Sequence, residues 1–105
     1  MRALLRLPFA LIVLALFCSP TVLADGGQEF KVKCAPCHGA RGGGETKLGQ
    51  HLRVRDMGSA DVQKLSDAEM TDIIRKGRGK MPSYEGKLKR EQIEELVRFI
   101  RTLKK

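Results

Sequence analysis

The clearest hydrophobic periodicity in the chain is near its end. From Arg90 to Leu103, Ile93, Leu96, Val97, Ile100 and Leu103 recur at spacings of three and four, with Phe99 beside them. This predicts a helix with one broad apolar stripe, and Glu94, Glu95, Arg98 and Arg101 fill the opposite face. A second amphipathic helix is predicted from Ser66. Ser66-Asp67-Ala68-Glu69 reads as a capping box, Leu65 and Met70 as its hydrophobic staple, and Met70, Ile73 and Ile74 as the inner face. Arg75 and Lys76 suit the negative end of the helix dipole, and Gly77 stops the helix. Shorter helices are predicted over Gly27 to Cys34, where Gly26, Phe30 and Cys34 share a face, and over Ser59 to Leu65. Between these, Gly39 to Gly49 carries Gly39, Gly42, Gly43, Gly44 and Gly49 and is predicted to be irregular.

The first residues follow a different logic. Arg2 and Arg6 make a basic start, Leu7 to Cys18 is almost wholly apolar, Pro20 breaks the run, and Val22-Leu23-Ala24 offers small residues for cleavage. The expectation is a secretory signal peptide over residues 1–24 and one domain over 25–105. The apolar run is short for a membrane span of about 20 residues, so no stable membrane insertion is expected after cleavage. An uncleaved leader kept as an anchor is the competing reading. Export points to a bacterial periplasm, with a thylakoid lumen as the other compartment. Cys18 leaves with the leader.

Charge then narrows the partners. The chain carries a formal +8, and the leader holds two of the 20 basic residues and none of the 12 acidic ones, leaving +6. Such a protein is steered towards acidic surfaces. Lys47, Arg53, Lys80, Lys87, Lys89 and Arg90 are candidates for a positive rim. Few aromatics, and basic residues dispersed among acidic ones, argue against nucleic acid. The domain is also near the lower size limit for a self-sufficient apolar core.

The chemistry lies in Cys34-Ala35-Pro36-Cys37-His38, a C-x-x-C-H. Two thiols three residues apart reach the two vinyl groups of a porphyrin, and the next residue gives its imidazole to the iron. This predicts one haem c, held by thioethers through Cys34 and Cys37. A buried porphyrin would also supply the missing core. Zinc and dithiol readings compete. Structural zinc wants four Cys/His ligands, and outside the motif only Cys18 and His51 remain. A redox C-x-x-C wants a βαβ context, and no strand pattern flanks this one.

A second axial ligand must come from Met57, Met70, Met81 or His51. Met70 sits on the inner face of a capped helix. Met57 and His51 lie close to His38 in sequence, and His51 reads as a surface or propionate-contacting residue. Met81 stands in Gly77-Arg78-Gly79-Lys80-Met81-Pro82, a loop stiffened by proline and 43 residues beyond His38. The predicted metal ligands are therefore His38 and Met81.

On these residues the chain resembles the class I monohaem c-type cytochromes, above all small bacterial ones and the short carriers of photosynthetic membranes. The matching pattern is Gly26, Phe30, Cys34-x-x-Cys37-His38, Lys80-Met81-Pro82 and Leu96-x-x-Phe99, and it spans residues 25–105. The resemblance implies an all-α cytochrome c fold, three to five helices wrapped around one covalently attached haem. It also implies that the first and last helices cross closely at Gly26, Phe30, Leu96 and Phe99. Where many relatives place Gly-Pro, whose proline carbonyl orients the proximal histidine, this chain has Gly49-Gln50. Pro36 inside the motif is unusual, and Lys89 is a poor N-cap.

With both axial positions filled, no site is free for substrate or oxygen, so the expectation is an electron carrier and not an enzyme. Tyr84, Met81 and the thioether edge are expected to border the exposed haem edge. The partners expected are redox proteins with acidic docking surfaces, met by a monomer. The alternatives are an electron-transfer subunit bound to a larger oxidoreductase, and a ligand-binding or peroxidatic haem protein if Met81 is labile.

Overall fold

Two helices from opposite ends of the domain make the frame. The computed structural model describes residues 26–105, so the predicted signal peptide over residues 1–24 lies outside the described residues. The helices are α1 (Gly26–Lys33), α2 (Ala35–His38), α3 (Lys47–Leu52), α4 (Ala60–Gln63), α5 (Asp67–Lys76) and α6 (Arg90–Thr102). Among the described residues the only extended pairing is an isolated bridge between Arg78 and Met81. The all-α expectation holds, with six helices among the described residues where three to five are expected.

Helix α1 packs across α6 at Gly26. A Cβ built on Gly26 would overlap the Glu95 carbonyl oxygen and lie 2.7 Å from its carbon, so the backbones touch where only glycine fits. Phe30 is 1% exposed and Leu96 0%. The rings of Phe30 and Phe99 meet with centroids 4.9 Å apart at 46°, a favourable tilted arrangement. Gln92 Nε2 on α6 also donates to Glu29 Oε1 on α1 at 3.0 Å. The crossing expected from the resemblance is thus present with the four residues named for it.

The capping box before α5 forms as predicted. Ser66 Oγ accepts from Glu69 N–H at 3.1 Å, and Glu69 Oε2 accepts from Ser66 N–H at 2.7 Å. Met70 and Ile74 face the core, joined by Ile93, Leu96, Val97, Ile100 and the unpredicted Leu88. Lys89 gives α6 no side-chain acceptor, and Gln92 Oε1 instead takes the Lys89 N–H at 2.8 Å.

Arg101 departs from the solvent face assigned to it. Its guanidinium donates to the Gln63 carbonyl at 2.6 Å, the Leu65 carbonyl at 2.5 Å and Asp67 Oδ1 at 2.8 Å. The turn between α4 and α5 leaves those carbonyls without helical partners, and a planar cation at the end of α6 satisfies them.

Gly26→Ala should lower the melting temperature of the haem-loaded protein, because a methyl meets backbone on α6 and the helices must separate. Overpacking of this kind costs about 1–3 kcal/mol. An unchanged melt followed by circular dichroism would contradict the close crossing.

Candidate functional site

Cys34, Cys37 and His38 are brought to one face by a single helical turn. His38 N–H donates to the Cys34 carbonyl at 2.9 Å and Gly39 N–H to that of Ala35 at 2.8 Å. Residues spaced by three and four therefore stack on one side. Helix α2 is not predicted by the sequence, because its four residues show no periodicity of their own. Pro36 costs no hydrogen bond there, since it occupies the first turn, where amides have no helical acceptor. Gly39 ends the turn with φ +84.

The glycine-rich segment was predicted irregular up to Gly49, yet α3 begins at Lys47. Thr46 starts it, its Oγ1 accepting from Gly49 N–H at 2.8 Å. The Thr46 hydroxyl also lies 3.1 Å from the carbonyls of Pro36 and Cys37, so the same side chain fastens α3 to the motif. A threonine three residues before Gly49 was the missed signal. Gly49 itself is required, because a Cβ there would strike the Cys37 carbonyl oxygen and lie 2.7 Å from that of Gly44.

Met81 sits on a constrained turn. Met81 N–H donates to the Arg78 carbonyl at 2.9 Å and Arg78 N–H to that of Met81 at 3.2 Å. Beyond it, Ser83 Oγ donates to the Arg75 carbonyl at 2.7 Å, and Tyr84 Oη to the Lys33 carbonyl at 3.0 Å. The loop is held at α5 on one side and beside Cys34 on the other.

These elements wall a cavity of about 330 Å³. Cys34, Cys37, His38 and Met81 all line it, as do Met57, Met70 and Tyr84. His51 is exposed and does not. Met70 is 4% exposed and part of the core. Met57 donates its N–H to the Gly42 carbonyl at 2.8 Å, and its side chain packs against Gly42, in the loop just after His38. The other wall groups are aliphatic or cationic: Lys33, Arg53, Arg55, Arg78 and Lys80, with no carboxylate. The expected rim is corrected accordingly. Of its six residues only Arg53 and Lys80 line the cavity. Lys47 lies in the first turn of α3, and Lys87, Lys89 and Arg90 cluster around the start of α6, whereas Lys33, Arg55 and Arg78 join the wall.

The wall fits a haem. Burial pushes the Cys34 thiol up to about 11, with the Glu29 carboxylate adding to it, the reverse of what activates a redox thiolate. Burial also lowers the His38 pKa, which favours the neutral imidazole, the form that binds metal. Its Nδ1 is buried without a hydrogen-bond partner among the described residues. A buried polar atom in that state is normally met by a partner from outside the chain, such as water, an ion or a ligand. The Gln50 carbonyl, which stands in the place of the relatives' proline carbonyl, accepts from Arg53 N–H at 3.2 Å and takes no bond from His38. A zinc cage is disfavoured, because no three His, Cys, Asp or Glu side chains converge among the described residues. Among those residues, too, no helix is long and apolar enough to cross a membrane.

Comparisons with known proteins agree with this geometry. The family model described as cytochrome c oxidase, cbb3-type, subunit III matches residues 21–100. Cytochrome c6 of Nostoc sp. (strain PCC 7120 / SAG 25.82 / UTEX 2576) is 33% identical over 104 residues, covering 93% of this chain and 87% of its own. Cytochrome c6 of Leptolyngbya boryana is 30% identical over 77 residues, covering 73% and 87%. The solved KustC0563 c-type cytochrome superposes with a TM-score of 0.72 at 34% identity, over 77% of this chain and 99% of that one.

A cavity at the centre of so small a domain makes the haem part of the core. With eight buried hydrophobic residues among those described, the protein alone offers a small core, and a haem in the cleft would add to it. Haem-free Cys34→Ser/Cys37→Ser protein should therefore lack the cooperative thermal transition of the haem-loaded form. A melt close to that of the holoprotein would show that the protein core suffices alone.

Proposed function

The chain belongs to the c-type cytochromes, carries one covalently bound haem c and is a single-haem electron carrier, and on that premise we propose that His38 and Met81 ligate its iron while Cys34 and Cys37 form the thioethers. The observation that carries the ligand set is the shared wall: both thiols and the imidazole on one helical turn, and the Met81 thioether on a turn pinned at both ends. Met70 lines the same cavity but belongs to the core inside α5, and Met57 lines it from the segment after α3 with its side chain against Gly42, in the loop after His38.

Haem supplies an iron centre that takes up and gives back one electron. The protein's part is to hold it still. With His38 and Met81 both on the iron no place would be left for substrate, and ligands unchanged between oxidation states would keep reorganisation small. A thioether and a largely apolar wall favour the reduced form and raise the potential. On this reading the protein is no enzyme, and it works as a soluble monomer in the periplasm or a thylakoid lumen. Its partners are redox proteins, and the excess of cations around the cavity favours acidic docking surfaces. Such encounters are small and transient.

The second reading, a subunit held by a larger oxidoreductase, draws on the subunit named by the matching family model. The free carrier is preferred because cytochrome c6 relatives match over most of their length. Stable co-purification with a larger complex would reverse that preference.

Absorption spectra with and without carbon monoxide test the ligand set. The exported protein should give a c-type reduced spectrum that carbon monoxide does not shift. Met81→Ala should keep covalent haem and bind carbon monoxide. If Met81→Ala behaves like the unaltered protein while Met57→Ala or Met70→Ala opens the iron, the axial assignment moves to that residue.

A further inference from the structure

The imidazole of His38 has two nitrogens, and the fold provides for one of them. His38 lines the cavity, and its Nδ1 is the ring nitrogen buried without a partner among the described residues. With Nε2 given to iron, Nδ1 carries the proton of the neutral ring and needs an acceptor. A metal-bound histidine passes that hydrogen bond to a carboxylate, a backbone carbonyl or water, and the choice tunes the ring as a ligand. We propose that in this chain the Nδ1–H is left to water, because Gln50 spends the carbonyls beside it on closing α3, and that this raises the potential of the iron. The inference rests on His38 as an iron ligand.

A carboxylate does not serve. The loop between His38 and α3 holds one, Glu45. Its side chain lies over Gly39 and Gly43, where added Cβ atoms would sit 2.5 Å from its oxygens, and the residue is exposed. Nδ1 is buried and donates no bond to it.

The backbone carbonyls are engaged elsewhere. On the motif side, the Cys34 carbonyl accepts from His38 N–H at 2.9 Å, that of Ala35 from Gly39 N–H at 2.8 Å, and that of His38 from Gly44 N–H at 2.7 Å. The Thr46 hydroxyl lies 3.1 Å from the carbonyls of Pro36 and Cys37. Helix α3 meets the motif at Gly49, where an added Cβ would strike the Cys37 carbonyl oxygen. From there on, the Gly49 carbonyl accepts from Val54 N–H at 3.0 Å and the Gln50 carbonyl from Arg53 N–H at 3.2 Å.

Gln50 is the cause of this pattern. Its N–H donates to the Thr46 carbonyl at 2.9 Å, a bond to the fourth residue before it that carries α3 on to Leu52. A residue without an N–H would forfeit that bond and press on the Thr46 carbonyl, so the helix could not run through. With the helix intact, the Gln50 carbonyl lies along its axis and belongs to the C-terminal turn that Arg53 closes. The Gln50 side chain supports the same junction, its Nε2 donating to the Glu45 carbonyl at 3.0 Å.

The consequence is electronic. A carbonyl on Nδ1–H makes the imidazole a more basic ligand and so favours oxidised iron. Water is a weaker and less fixed acceptor than an amide carbonyl and does this less. With the same axial atoms, the balance then moves towards the reduced form.

The test uses the isotope-labelled, haem-loaded protein. In the reduced, diamagnetic form of the unaltered chain, the His38 Nδ1–H should show a direct contact with water by NMR. Two variants then separate backbone from side chain. Gln50→Ala keeps every backbone bond of α3 and is the reference. Gln50→Pro removes the bond to Thr46 and releases the carbonyl, so against that reference its Nδ1–H should lose the water contact and its midpoint potential should fall, with covalent haem retained. An Nδ1–H without water contact in the unaltered protein overturns the proposal, and so does a Gln50→Pro variant with the contact and potential of Gln50→Ala. The first of these outcomes needs no variant, so it decides the matter even where Gln50→Pro fails to fold. His38 ring signals without a hyperfine shift in the oxidised protein would overturn the ligation by His38 instead.

Discussion

Everything described here hangs on the contact of two backbones, Gly26 on α1 against Glu95 and Leu96 on α6. Nothing larger than hydrogen fits between them, so the helices lie close enough for Phe30 and Phe99 to stack and for Leu96 to lose all exposure. Because α1 leads straight into the turn with Cys34, Cys37 and His38, the crossing also sets where that turn stands relative to Met70, Ile74 and Ile100. The cavity is the space left when one end of the chain is fixed across the other and the middle is wrapped around them.

The middle is held less by apolar area than by single polar side chains at junctions. Thr46 links α3 to the carbonyls of the motif, Tyr84 links the Met81 loop to the end of α1, and Arg101 gathers the turn between α4 and α5 onto α6. Each satisfies backbone groups that short helices leave unpaired. With only eight buried hydrophobic residues named as core among those described, such clasps do much of the positioning.

The sequence was most legible where local chemistry and global fold agree. The stripe of α6 and the Ser66 capping box could be read outright, because three- and four-residue spacing and a reciprocal cap have one structural meaning. The crossing at Gly26 was legible only through family resemblance, since a lone glycine does not name what approaches it. Two short helices escaped. The motif residues were weighed for thiol spacing, and the glycines hid Thr46. Arg101 was misread because its spacing puts it on a polar face, whereas the carbonyls that turn it inward lie more than 30 residues away. The cationic wall was half legible: charge can be counted along a chain, but Arg55 and Arg78 join the cavity only through the paths of two loops.

The Gly26–Glu95 contact also has a kinetic side. It joins residues at the two ends of the described chain, and closing a loop of about 70 residues costs roughly 4 kcal/mol of chain entropy before any contact repays it. Local features such as the Ser66 cap and the Arg78–Met81 turn close far shorter loops and bear far less of this cost. Long-range contact of this kind slows folding. The contact on which the domain depends thus carries much of the entropic cost of folding, and it is this contact that holds the turn with Cys34 and Cys37 against the rest of the cavity wall.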